Sequence, residues 1–171
     1  MPQPPKTGKA PEPKLTIDAT LDILRTTVPR LEKLAAGVPM DHLDAHADYG
    51  WSVCEQLAHL RACQEVLGGN MLRIVREDHP AWRAVSPRRG QERYFGTPWE
   101  EALASFRTQR AELLAELEPL PSPAWERTAS VTVPPNTLYE YSALYYGDWL
   151  ARHERSHLSH MTRIVRELEH A

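Results

Sequence analysis

Cysteine, glycine and net charge are all in short supply in this chain. Only Cys54 and Cys63 occur among 171 residues. They lie nine residues apart in a stretch that reads as helix. At about 100° per residue they point to opposite sides, so they do not pair with each other. The expected setting is reduced and cytoplasmic. Eight glycines are too few for a loop-rich fold. A net charge of -3 and a pI near 6.2 exclude bulk attraction to nucleic acid or to an anionic membrane surface, so neither is an expected partner. No apolar run reaches the roughly 18 residues of a membrane span. The N-terminus has no apolar segment of the kind a secretory signal needs. What the chain does have is 42% hydrophobic residues, enough for one sizeable core.

The fifteen prolines mark the organisation. Residues 1–14 hold five of them and three lysines with almost no apolar side chains, which predicts a disordered tail. Residues 15–171 then form a single domain. Leu21, Leu24, Val28, Leu31 and Ala35 share one face of a helix over 17–36. Pro29 inside it is expected to bend or interrupt it, and Gly37 to stop it. Residues 38–50 read as a connection ending in Tyr49-Gly50. Ser52 and Glu55 form a capping-box pattern that opens a second helix, running to Arg76. A loop over 78–96 mixes Trp82, Tyr94 and Phe95 with Arg83, Arg88, Arg89 and Arg93. Thr97-Pro98-Trp99-Glu100 reads as the cap and first turn of a third helix. A connection over 118–136 follows. Thr137 and Glu140 repeat the capping-box pattern ahead of a fourth helix over 138–169. Four amphipathic helices without a convincing strand predict an all-α, up-down-up-down four-helix bundle.

The histidines carry the chemistry. With His153 at zero on a helical wheel, His157 falls at about 40° and His160 at about −20°. Trp149, Tyr146, Leu150, Ile164 and Leu168 share that face, while Arg152, Glu154, Arg155 and Arg166 point away. Imidazoles in an apolar face need partners for two ring nitrogens. Residues four apart stack on one helix face and can reach one ion. On the second helix, Ser52, Glu55, His59, Ala62, Cys63, Val66 and Asn70 form one face, and His59 is its only histidine. From the residues alone, these histidines are either ligands or hydrogen-bonded core packing. As ligands, three imidazoles leave a coordination position open, the pattern of a catalytic site. His42, His46, His79 and His170 read as surface or loop residues.

Two segments, WSVCEQLAHL over 51–60 and HERSHLSHM over 153–161, together resemble the DinB/YfiT-like family of metalloenzymes. That family's second helix typically opens with tryptophan and serine or threonine, with a histidine eight residues after the tryptophan. Here those residues are Trp51, Ser52 and His59. Its last helix carries two histidines four apart followed by leucine, here His153, His157 and Leu158. The resemblance spans residues 17–169. It implies a DinB-like bundle binding one divalent metal through His59, His153 and His157, with His160 behind the ligands. The run from Thr137 to His153 is longer than the family's usual stretch, which leaves the start of the fourth helix open.

Some members of the family are S-transferases that use a low-molecular-weight thiol such as bacillithiol or mycothiol. The resemblance therefore implies a small-molecule substrate and metal-dependent thiol transfer. Zinc is the expected metal, with nickel, cobalt and iron as alternatives. Metal-dependent hydrolysis is the second reading, with Glu55 as base; its other role is the helix cap. Cys63 is either a neighbour of the metal or a small core residue. Arg88 and Arg89 are candidates for the anionic part of a thiol, against the alternative of a solvated loop pinned by its aromatics. A third reading is a non-enzymatic bundle that the metal stabilises, or a binding protein. Homodimers are common in the family.

Overall fold

A computed structural model of the chain describes residues 4–46 and 50–169; Tyr49 and His170 lie outside that range. Its elements are β1 (Lys6–Thr7), α1 (Ile17–Ala35), α2 (Met40–Asp44), α3 (Val53–Arg76) and β2 (Ala81–Arg83). A 3₁₀ turn at Gln91–Tyr94 precedes α4 (Trp99–Leu117), α5 (Ser122–Trp125), β3 (Thr128–Val133), β4 (Thr137–Ser142) and α6 (Ala143–Glu169). No helix among the described residues is long and apolar enough to cross a membrane.

The first three long helices fall where the periodicity places them, and the fourth starts later than expected. Thr16 accepts from the Ala19 N–H at the start of α1, which runs unbroken through Pro29 rather than stopping there. Both halves of the α3 capping box form, at 3.0 and 3.1 Å. At α4 the cap position falls on Pro98, and no side chain caps it, Thr97 included.

The expected helix direction is wrong, and the side-chain pairings show why. Lys14 and Leu15 donate to Asp148 while Thr27 reaches Glu154, so α1 and α6 run parallel. Gln56 meets His157 and His59 meets His153, so α3 and α6 are antiparallel. Arg61 meets Ser105 and Arg76 meets Glu116, so α3 and α4 are parallel. The order is up-down-down-up. A parallel α3–α4 pair needs a connection that climbs back the full length of α3, roughly 36 Å for 24 residues. Residues 77–98 make that climb, and the 3₁₀ turn packs on α3.

The all-α expectation also fails. A sheet of order β1-β4-β3-β2 closes one end of the bundle, with β3 and β4 antiparallel and both edge strands parallel to their neighbours. Thr137 and Glu140 belong to β4 and do not cap a helix. Helix α6 begins at Ala143, where Ser142 Oγ accepts the Tyr145 N–H at 3.0 Å. In the proline- and lysine-rich segment, expected as a disordered tail, Lys6–Thr7 pairs with Thr137–Leu138.

The core has two apolar halves. One gathers Leu67, Met71, Trp125, Val131 and Leu150 beneath the sheet, and the other gathers Leu57, Trp99, Phe106, Leu158 and Ile164. Between them lies a polar layer of His59, Gln64, Arg110 and Glu154, all buried. Glu154 was expected to face away from the core, yet it is 0% exposed. Its carboxylate accepts from Arg110 Nη1 at 3.1 Å, from Arg110 Nη2 and from Thr27 Oγ1 at 2.8 Å. Arg110 also donates to Gln64 Oε1 at 2.6 Å and to the Leu24 carbonyl at 2.7 Å.

Candidate metal centre

Antiparallel packing of α3 on α6 brings His59, 94 residues away in sequence, against His153. The Nε2 atoms of His59 and His157 each lie 3.2 Å from Nε2 of His153. The candidate ligand atoms of the three all fall within 4.8 Å of one another. The structure thus brings together the three residues that the spacing and the resemblance nominate. His160 stands outside this cluster of three; its charge is one of those that disfavour protonation of His157.

The far sides of two rings are fixed by groups that sequence reasoning missed. His59 Nδ1 lies 2.9 Å from Gln91 Oε1, and His157 Nδ1 lies 3.0 Å from Gln56 Oε1. An amide oxygen only accepts, so both Nδ1 atoms carry the proton and both Nε2 atoms present lone pairs. His153 Nε2 can donate to one of them at most. At least one of the two 3.2 Å contacts therefore sets lone pair against lone pair unless a cation lies between. His153 Nδ1 is buried without a hydrogen-bond partner.

This donor set fits a divalent cation. Bonds of ~2.0–2.1 Å in a tetrahedral site put ligand nitrogens ~3.4 Å apart, close to the spacing seen. The electrostatics keep the rings neutral, as ligation requires. Burial, then the charges of His59 and Arg88, pushes His153 down to about 4. Burial, then the neighbouring histidines, pushes His157 down to about 3. Burial also lowers His59, against the hydrogen bond it donates to Gln91.

The other candidates are placed as follows. Cys63 Sγ lies 3.4 Å from His59 Nε2, and burial raises its thiol to about 12. Glu55 is engaged elsewhere: Oε2 accepts the Ser52 N–H at 3.0 Å and lies 3.5 Å from His46 Nδ1. Arg88 lines a cavity of about 200 Å³ beside His59 and His153, together with Cys63, Leu67 and Trp149. Its guanidinium also sits 5.5 Å from the Trp51 ring centroid. Arg89 is exposed and does not line this cavity. Arg93 and Tyr94 instead bind Glu65 on α3, which pins the climbing loop.

A model of the DinB superfamily matches residues 8–161. No curated protein matches the chain. Among solved structures, one reported as "YfiT from Bacillus subtilis is a probable metal-dependent hydrolase with an unusual four-helix bundle topology" aligns with a TM-score of 0.73 at 17% identity, over 95% of both chains. A mycothiol-dependent maleylpyruvate isomerase aligns with a TM-score of 0.55 at 15% identity, over 85% of this chain and 60% of that one. At these identities the likeness is one of fold.

Proposed function

Because the chain belongs to the DinB superfamily, we propose that it is a metal-dependent S-transferase that joins a low-molecular-weight thiol to small electrophiles. His59, His153 and His157 would hold one divalent cation, with zinc first among zinc, nickel, cobalt and iron. The observation that carries this reading is the convergence of three neutral Nε2 atoms beside a cavity where Arg88 stands. A sealed site would suit a purely structural metal; this one has an open side.

When bound, the cation would lower the pKa of a coordinated thiol, making a thiolate at neutral pH. The residues supply the rest. Gln91 and Gln56 fix two ring tautomers and aim their lone pairs inward. Arg88 offers a cation to an anionic group of the thiol. Leu67 and Trp149 wall the cavity against water. The thiol proton passes to solvent. The thiolate sulfur forms a bond to the electrophilic carbon as the bond from that carbon to its leaving group breaks. That group keeps the electron pair, as halide or as the alkoxide of an opened epoxide that solvent protonates.

Hydrolysis is the second reading, favoured by what is reported for YfiT. It fits this chain less well. Among the described residues, the cavity beside His59 and His153 has no carboxylate in its lining to take a proton from water. The carboxylate of Glu55 is held by the helix cap.

The test starts with elemental analysis of untagged protein, His59→Ala and His153→Ala. The expected result is about one divalent metal per chain, lost in both variants. Metal that survives both changes would refute the site. The loaded protein is then given thiols with alkyl halides or epoxides. Turnover of ester or amide bonds without turnover of any thiol would replace S-transfer by hydrolysis.

A further inference from the structure

The cavity beside His59 and His153 has a neighbour on the other side of Trp149. Leu67, Ser86 and Trp149 are shared with a second hollow of about 290 Å³. The two chambers differ in chemistry. The first has Arg88 at its wall, and among the described residues the second has no charged side chain in its lining. Its walls include Asn70, Ala84, Val133, Tyr141, Tyr145 and Tyr146.

The aromatic walls are locked in place. Tyr141 stacks on Tyr145 at 4.1 Å with 4° between the planes, and on Tyr139 at 5.3 Å with 5°. Tyr146 packs between Trp82 and Trp149. Burial raises the phenols of Tyr141 and Tyr146, so they stay neutral. A cation finds no counter-charge here, and an anion no donor with charge to offer. A flat neutral ring meets mostly aromatic and aliphatic wall, and the polar groups in that wall, Asn70, Ser86 and the tyrosine hydroxyls, are all uncharged. An apolar cavity of ~150 Å³ takes benzene, so this hollow has room for a ring somewhat larger.

Building on the S-transferase reading, we propose that this hollow is the specificity pocket for the electrophile, and that it takes an uncharged aromatic arm of up to two fused rings. The reacting carbon then sits beside His59 and His153, and the arm passes Trp149 toward the sheet. The sheet thereby acquires a role in recognition. Strands β3 and β4, and the segment after β2, supply Val133, Tyr141 and Ala84 to the wall.

The test uses the purified full chain and 2-naphthol as a neutral probe, titrated by fluorescence or calorimetry. Saturable binding is expected, weakened at least about tenfold by Ala84→Trp, which fills the hollow without reaching the histidines. The cationic 2-naphthylmethylammonium should bind at least about tenfold more weakly than 2-naphthol. Equal affinity for the two probes, or unchanged affinity in the variant, overturns the proposal. Since Ala84→Trp could disturb folding, the wild-type chain gives an independent measurement. Nuclear Overhauser contacts from the probe should fall on the rings of Tyr141 and Tyr145; contacts confined to other residues overturn the assignment. Metal content is read in the same samples. Naphthol binding without metal strikes the S-transferase reading alone. Bound metal without naphthol binding strikes this pocket alone.

Discussion

Replacing Glu154 by methionine removes a buried carboxylate and leaves a buried guanidinium behind. Arg110 is 2% exposed, so water cannot take over the lost partner. Breaking a buried ion pair on one side costs about 3–5 kcal/mol. The lower end applies here, because Arg110 keeps Gln64 Oε1 and the Leu24 carbonyl. Thr27 also keeps an acceptor, the Ile23 carbonyl at 2.9 Å. For a chain of this length, ~3 kcal/mol corresponds to a fall in Tm of about 6–12 °C. Arg110→Met should cost at least as much, since it leaves a buried carboxylate with the Thr27 hydroxyl in place of its counter-charge. The double variant should be more stable than either single one, because it leaves no unpaired charge. Urea and thermal unfolding followed by circular dichroism would measure the cycle. Additive losses, or a Glu154→Met variant within about 1 kcal/mol of the parent, would refute the view that this pair is energetically closed on itself.

Other predictions concern the metal centre. Gln56→Leu and Gln91→Leu should each weaken metal binding about 10–100-fold in competition with a chelator; unchanged affinity would show that the amides do not set the rings. The metal-free protein should lose stability as pH falls from about 7 toward 4. Burial and neighbouring charges push His153 down to about 4 and His157 down to about 3 in the fold, against the ordinary 6.5 of a free imidazole. Between those values the unfolded chain binds more protons, so stability is intact above 6.5 and drains away as acid is added. Urea midpoints that are flat across this range would contradict buried neutral rings. Arg88→Ala should leave metal content intact and raise KM for an anionic thiol about 10-fold or more, with kcat little changed; a fall in kcat alone would place Arg88 in the chemistry instead.

The three histidines were legible because ligand chemistry and helical spacing agree: His153 and His157 share a turn, and His59 is the lone imidazole of its face. The core face of α1 and the capping box of α3 were legible for the same local reason. What escaped is what depends on pairing across the fold. Thr137 and Glu140 satisfy a capping-box pattern, but the run from Thr137 to Ser142 finds strand partners on both sides, in β3 and in β1, and those ladders outweigh the cap. The alternation of Thr128 to Val133, with Ala129 and Val131 buried, is a strand signal hidden among prolines. Glu154 looked solvent-facing because its partner, Arg110, lies 44 residues away on α4. Gln91 sits at the site because a parallel α3–α4 pair makes the loop climb past it, and helix direction is not written in periodicity.

That helix order also has a kinetic consequence. The contacts that close the bundle are among those with the greatest sequence separation: Lys14 to Asp148 spans 134 residues, and Thr27 to Glu154 spans 127. Loop closure must precede the reward of such contacts, so high contact order slows folding even in a mostly helical chain. Until α6 docks, His59 has no imidazole to face and the pair on α6 has no third ligand. The three imidazoles therefore meet only once α6 has docked on α3. Metal uptake during refolding would report the completion of the fold, later than the rise of helicity.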